Sequence, residues 1–186
     1  MIKENTKLRK INFVSSIFFI LIAIFYFGYE KSTFSKQETV DVSVPVVSVS
    51  DGDTVILIIS GHKEKVRLIG IDAPELAQKQ WGEKAKRYLE ALLRDSAWKV
   101  KLEYDVEKRD KYGRILAYLR TSDGKLINLL MVQNGYAMLY TVPPNVKHVR
   151  DLKAAQEEAR QAKLGIWSEE GLKERPKDYR MEHPRI

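Results

Sequence analysis

The chain has 186 residues, 44% hydrophobic and 31% charged, which suits one ordinary globular domain with an appendage and is too short for a multidomain enzyme. It has no cysteine, which excludes disulfides, thiolate zinc sites, iron–sulfur clusters and thiol nucleophiles; its three histidines, His62, His148 and His183, lack the spacing of a transition-metal site or a catalytic triad. A net charge of +7 invites a nucleic-acid reading, but residues 1–36 hold six basic and two acidic side chains, so only about +3 remains for the rest.

Segment 1–10 carries Lys3, Lys7, Arg9 and Lys10 and precedes an uncharged run from Ile11 to Tyr29. Nineteen residues at a rise of about 1.5 Å nearly cross a hydrocarbon core of about 30 Å. The basic residues before the run predict a single-pass anchor over 11–29, with the N-terminus cytoplasmic and the remaining chain extracytoplasmic at the cell membrane. The competing reading is a cleaved signal peptide and a secreted product, against which stand the length of the run and an exit sequence without a small-x-small site. Residues 30–45, polar and ending at Pro45, read as a linker.

Two β-branched runs, 55–59 and 65–71, joined by Ser60-Gly61-His62-Lys63, predict a hairpin. From Gly82 to Asp95, Ala85, Leu89 and Leu92 recur at helical spacing opposite Lys84, Lys86, Arg87 and Arg94, an amphipathic helix with a basic outer face. Strands follow at 98–104 and 115–120. Asn128 is placed to cap a short helix that stops at Gly135, residues 136–140 form another extended piece, and a final helix runs over 149–164. The expected class is α+β, a five-stranded OB-fold barrel with about three helices over 46–168, and a loose polar tail over 169–186 that contains Pro176 and Pro184.

Acidic residues at turns carry the chemical signal. Asp51 and Asp53 lie in DGDT, Asp72 and Glu75 in DAPE, where Gly52 and Pro74 enforce the bends. Two or three carboxylates with a backbone carbonyl suit a hard oxygen-bound cation such as Ca²⁺, although each dipeptide alone is also a common turn former. Arg67 lies inside the apolar strand KVRLIGI, and Arg114 closes the turn DKYGR; each needs an anionic partner, either a nearby carboxylate or a phosphate gripped by the guanidinium fork. Arg67 and Asp72 are five residues apart and would face opposite ways on a straight strand, so the strand must end or bend near Gly70.

In order the chain reads DGDT, R-x-x-x-x-D-A-P-E, D-K-Y-G-R, an aromatic strand ending at Tyr140, and a helix closed by LGIW. This resembles the staphylococcal nuclease (thermonuclease) family over about residues 46–168. The resemblance implies an OB-fold enzyme that is calcium-dependent and hydrolyses DNA and RNA at the P–O5′ bond, leaving 3′-phosphates. It implies Ca²⁺ ligands at Asp53, Asp72 and the carbonyl of Ala73, which stands where the family usually has Thr. It further implies that Asp51 is an outer acidic neighbour, that Glu75 orients or deprotonates the attacking water, and that Arg67 and Arg114 bind the phosphate. Lys111, Tyr112 and Tyr140 match nucleotide-contacting positions. Val142 stands where a second tyrosine is usual, and the segment 76–82 is shorter than in the type member. A monomer with no protein partner is expected. The alternative is a non-catalytic OB-fold module that binds nucleic acid, which has no need of the complete set Asp53, Asp72, Glu75, Arg67 and Arg114.

Overall fold

Thirteen residues, Thr39–Asp51, form β1, a strand long enough to serve two neighbours. Its first part pairs antiparallel with β5 (Lys99–Glu103), and its second part with β2 (Thr54–Ile59), with irregular register on the way. β2 forms a hairpin with β3 (His62–Leu68), and β5 pairs antiparallel with β6 (Ile115–Arg120). One parallel pairing, Val66 with Ile115 and Arg67 with Leu116, joins β3 to β6 and closes the barrel in the order β1-β2-β3-β6-β5. Closure removes free strand edges. A separate two-stranded sheet joins β4 (Gly70–Asp72) to β7 (Met138–Tyr140).

This computed structural model describes residues 39–184 of the chain. The anchor or signal peptide expected at 11–29 and the basic segment 1–10 lie outside the described residues. Among the described residues no helix is long and apolar enough to cross a membrane. The linker expected over 30–45 is corrected at its end, because β1 begins at Thr39 and Pro45 lies inside it, opposite Lys99.

Alternation fills the barrel: Val55, Leu57, Val66, Leu68, Val100, Leu102, Ala117 and Leu119 are buried. Helix α1 (Lys79–Asp95) closes one side with Ala85, Leu89 and Leu93, three residues at a spacing of four. Leu92, expected on that face, is only partly buried. Helix α2 (Ile127–Gln133) buries Ile127 and Met131, and helix α3 (Val149–Gln161) buries Leu152, Ala155 and Ala159 before the short 3₁₀ turn Gly165–Trp167. Asn128 does not cap α2. It lies inside the helix, fully buried, where Nδ2 donates to the Ile69 carbonyl at 2.8 Å and Oδ1 accepts the Leu119 N–H at 3.0 Å.

The loose tail is also corrected. Residues Pro176–Glu182 form a fourth helix, α4, with Pro176 buried at its first turn and Asp178 beside it. The chain leading to it is tied to the body by three hydrogen bonds: Leu172 N–H to the Ile166 carbonyl, Trp81 Nε1 to the Glu170 carbonyl and Gln78 Nε2 to the Glu174 carbonyl. Among the described residues four α-helices therefore accompany the barrel, where about three were expected.

Candidate active site

On β3, Val66 and Leu68 point into the core, so Arg67 faces outward. The strand ends at Leu68, and Gly70, at φ +80°, turns the chain; a Cβ there would lie 2.7 Å from Leu152 Cδ1. This is the bend that the spacing of Arg67 and Asp72 demanded. The Arg67 guanidinium is gripped by the carbonyls of its own bend, Nη1 donating to Leu68 at 2.6 Å and Nη2 to Ile71 at 3.0 Å. The same Nη2 lies 3.3 Å from Asp72 Oδ1 and 3.0 Å from Asp53 Oδ2. One nitrogen thus gathers two carboxylates at the open end of the β2–β3 hairpin, one from just before β2 and one from β4.

Asp53 is held in the β1–β2 turn, where its N–H donates to Asp51 Oδ1. Its own carboxylate accepts the Thr54 hydroxyl at 3.1 Å and the Ala73 N–H at 2.9 Å, so the two turns read in the sequence, DGDT and DAPE, are laced together. Burial pushes the Asp53 carboxyl up, Arg67 pulls it down, and the negative charges of Asp51 and Asp72 push it up again, to about 7. Acidic oxygens are crowded here in excess of the positive charge that Arg67 brings.

Glu75 follows Pro74 at the entrance to α1. Its N–H donates to Gln78 Oε1 at 2.9 Å, and its carbonyl lies where α1 passes without a side chain: a Cβ on Gly82 would sit 2.1 Å from that oxygen. Gln78 is buried and uses both ends of its amide, binding Glu75 with one and the Glu174 carbonyl with the other. Beyond it, Arg180 of α4 reaches into the site. Its Nη1 donates to Glu75 Oε1 at 2.8 Å and its Nη2 to Asp72 Oδ2 at 3.0 Å. These contacts raise the Arg180 pKa against the opposing effect of burial.

The result is a continuous chain of alternating charge, Asp53, Arg67, Asp72, Arg180 and Glu75. Four of its members were singled out from sequence. Arg180 was not, nor were Gln78 and Trp81, which hold its segment. Pro176 followed by Asp178 is a helix-start pattern that marks α4, but no spacing rule tells which carboxylate Arg180 meets.

Asp51 and Ala73 adjoin this chain of charges through Asp53, whereas Arg114, Lys111, Tyr112 and Tyr140 are not members of it. Arg114 pairs with Asp110, Nε and Nη2 each at 2.7 Å from Oδ2, while Asp110 Oδ1 accepts the backbone N–H groups of Tyr112 and Arg114. The parallel register of β3 and β6 puts Arg114 two residues before Leu116, the partner of Arg67, on the same outer side of the barrel. Tyr112 is 73% exposed, with Lys111 Nζ 5.1 Å from its ring centroid. Tyr140 ends β7 opposite Gly70, and Val142 is exposed.

Residues 65–169 match the family described as Staphylococcal nuclease homologue. The chain is 37% identical over 156 residues to a protein named Thermonuclease from Staphylococcus intermedius, covering 80% of this chain and 90% of that one. It is 35% identical over 144 residues to Endonuclease YncB of Bacillus subtilis (strain 168), covering 74% and 67%, and 34% identical over 128 residues to a Thermonuclease of Staphylococcus hyicus, covering 66% and 74%. A five-stranded barrel with its carboxylates and arginines gathered at one end, and relatives of this similarity over most of its length, lead to one conclusion: the chain belongs to the staphylococcal nuclease family.

Proposed function

We propose that this nuclease is a calcium-dependent phosphodiesterase that cuts DNA and RNA at the P–O5′ bond and leaves 3′-phosphates. The observation that carries the reading is the convergence of Asp53 and Asp72 on one nitrogen of Arg67, with Glu75 joined to Asp72 through Arg180 in the same chain of ion pairs. The donor set fits a hard dication, since it offers carboxylate and carbonyl oxygens and no thiolate or imidazole. Asp53, Asp72 and the carbonyl oxygen of Ala73, with water, would hold it. Bound there, Ca²⁺ supplies positive charge for the phosphate oxygens as their charge grows.

The protein's own groups do the rest. Arg67, held by carbonyls and buried on most of its surface, is a preorganised donor for a phosphate oxygen. Glu75 takes a proton from the attacking water, which adds to phosphorus as the P–O5′ bond breaks, and the departing 5′-oxygen takes its proton from solvent water. Arg114, on the same outer side of the barrel, is the second phosphate-binding arginine once it exchanges Asp110 for substrate, and Lys111, Tyr112 and Tyr140 contact the nucleotide. The anchor read at 11–29 tethers the enzyme to the outer side of the cytoplasmic membrane.

Cleavage of single- and double-stranded DNA and of RNA by the full-length protein, with Ca²⁺ against a chelator and with analysis of product ends, tests the reading. Calcium-dependent products ending in 3′-phosphate are expected. Retained binding without cleavage would return the protein to the class of non-catalytic OB-fold modules.

A further inference from the structure

The nuclease sites of this chain were traced to turns at 51–53, 72–75 and 110–114, yet the group that touches both Asp72 and Glu75 comes from residue 180. Its guanidinium divides its two terminal nitrogens between them, at 3.0 and 2.8 Å. Asp72 is deeply buried and Glu75 largely so, and the bond from Nη2 occupies the Asp72 oxygen that Arg67 leaves open, Oδ2 rather than Oδ1. A rigid planar fork with one prong on each carboxylate fixes the distance between them, which a flexible ammonium cannot do.

The segment that carries Arg180 is built to put it there. Gln78 links the Glu75 N–H to the Glu174 carbonyl through a single buried amide, so the backbone at residue 75 and the backbone entering α4 share one anchor. Trp81, on the first turn of α1, holds the Glu170 carbonyl, and Pro176 is buried where α4 begins. At Gly171 a Cβ would meet the Ile166 carbonyl at 2.2 Å, so the chain leaves the 3₁₀ turn in close backbone contact with it.

The geometry points to Arg180 as a positioning residue of the nuclease site, delivered by α4, which fixes the Glu75 carboxylate relative to Asp72. This rests on the reading of Asp72 as a cation ligand and of Glu75 as the group that handles the water. A base displaced by about 1 Å loses on the order of 10²-fold in rate, so loss of the fork is felt in turnover. Binding of the cation is affected in the opposite sense, because Arg180 is itself a positive charge on Asp72 and its removal relieves competition there.

The test compares full-length wild type with Arg180→Ala, Arg180→Lys and, as a control with the same change of charge on the same helix, Lys177→Ala at an exposed position. Turnover and KM on DNA are measured, together with Ca²⁺ binding by calorimetry and the denaturant midpoint. The expected result is that Arg180→Ala lowers kcat by about 10- to 100-fold, with KM close to that of Lys177→Ala, Ca²⁺ binding unweakened and the midpoint little changed. Arg180→Lys should recover only part of the loss. The inference is overturned if Arg180→Ala turns over like Lys177→Ala, if it turns over faster than wild type, which would make α4 a plug, or if turnover, Ca²⁺ affinity and midpoint fall together, which would make Arg180 merely structural. A wild type that does not cleave would instead sink the proposed function, and this inference with it.

Discussion

Asn128 joins the bend after β3 to β6, giving its amide to the Ile69 carbonyl and taking the Leu119 N–H. Both groups are buried, and each left unsatisfied costs about 1–3 kcal/mol. Asn128→Leu should therefore lower stability by about 2–5 kcal/mol, read as a drop in the denaturant midpoint with an unchanged slope. Asp53 behaves differently, because its charge is buried among like charges while its oxygens serve as acceptors. Asp53→Asn keeps an oxygen for Ala73 and a partner for the Thr54 hydroxyl, so the free energy of unfolding should change by less than about 1 kcal/mol, whereas calcium-dependent cleavage should fall by at least about 10²-fold. The four predicted carboxylates and Arg67 were legible because Gly, Pro and an arginine in an apolar strand are local oddities. Asn128 was misread as a cap because its true partners are 59 and 9 residues away, beyond any local pattern.

At the scale of elements, α1 starts at Lys79 and not at Gly82, where the helix was expected to begin. The glycine lies within the first turn and lets the helix pass the Glu75 carbonyl. This gives a prediction in which two effects oppose each other. Alanine is favoured over glycine in a helix by about 1 kcal/mol, but the added Cβ would lie 2.1 Å from backbone oxygen, which has no rotamer to move. Overpacking of this kind costs about 1–3 kcal/mol, and it falls beside the Glu75 backbone. Gly82→Ala should therefore be destabilising in a melt and should also lower cleavage. The start of β1 was hidden by Pro45 in a similar way. Proline usually ends a strand, yet here it sits within a long one where β1 passes from β5 to β2, a position at which a missing ladder donor is tolerated.

For the whole molecule, Glu103 ties the barrel to the segment before α3. Its carboxylate, buried on β5, takes Arg120 Nε at 2.7 Å from β6, His148 Nε2 at 2.9 Å and Lys147 Nζ at 3.1 Å. Burial raises its pKa, and the bonds from His148, Arg120 and Lys147 more than reverse this, holding it at about 2 against an ordinary 4.5. The folded state thus binds this proton less readily than the unfolded chain. The stabilisation is complete above about pH 4.5 and fades as pH falls towards 2, where wild type should lose about 3 kcal/mol from this group. Stability measured against pH should show this acid limb, and Glu103→Gln should flatten it. The barrel itself was legible, since period-two runs bounded by turns specify strands. The tail was not, because it docks through the carbonyls of Glu170 and Glu174, groups that every residue carries.

Helix α4 has no strand pairing and is held by Gln78, Trp81, a buried proline and the two ion pairs of Arg180. Such a segment opens by local unfolding at a free energy well below that of the barrel. Heat should therefore silence the enzyme before it melts it: on a temperature ramp, the midpoint for loss of cleavage should lie below the midpoint for loss of the barrel's circular dichroism, and cleavage should return on cooling from between the two as α4 finds its place again.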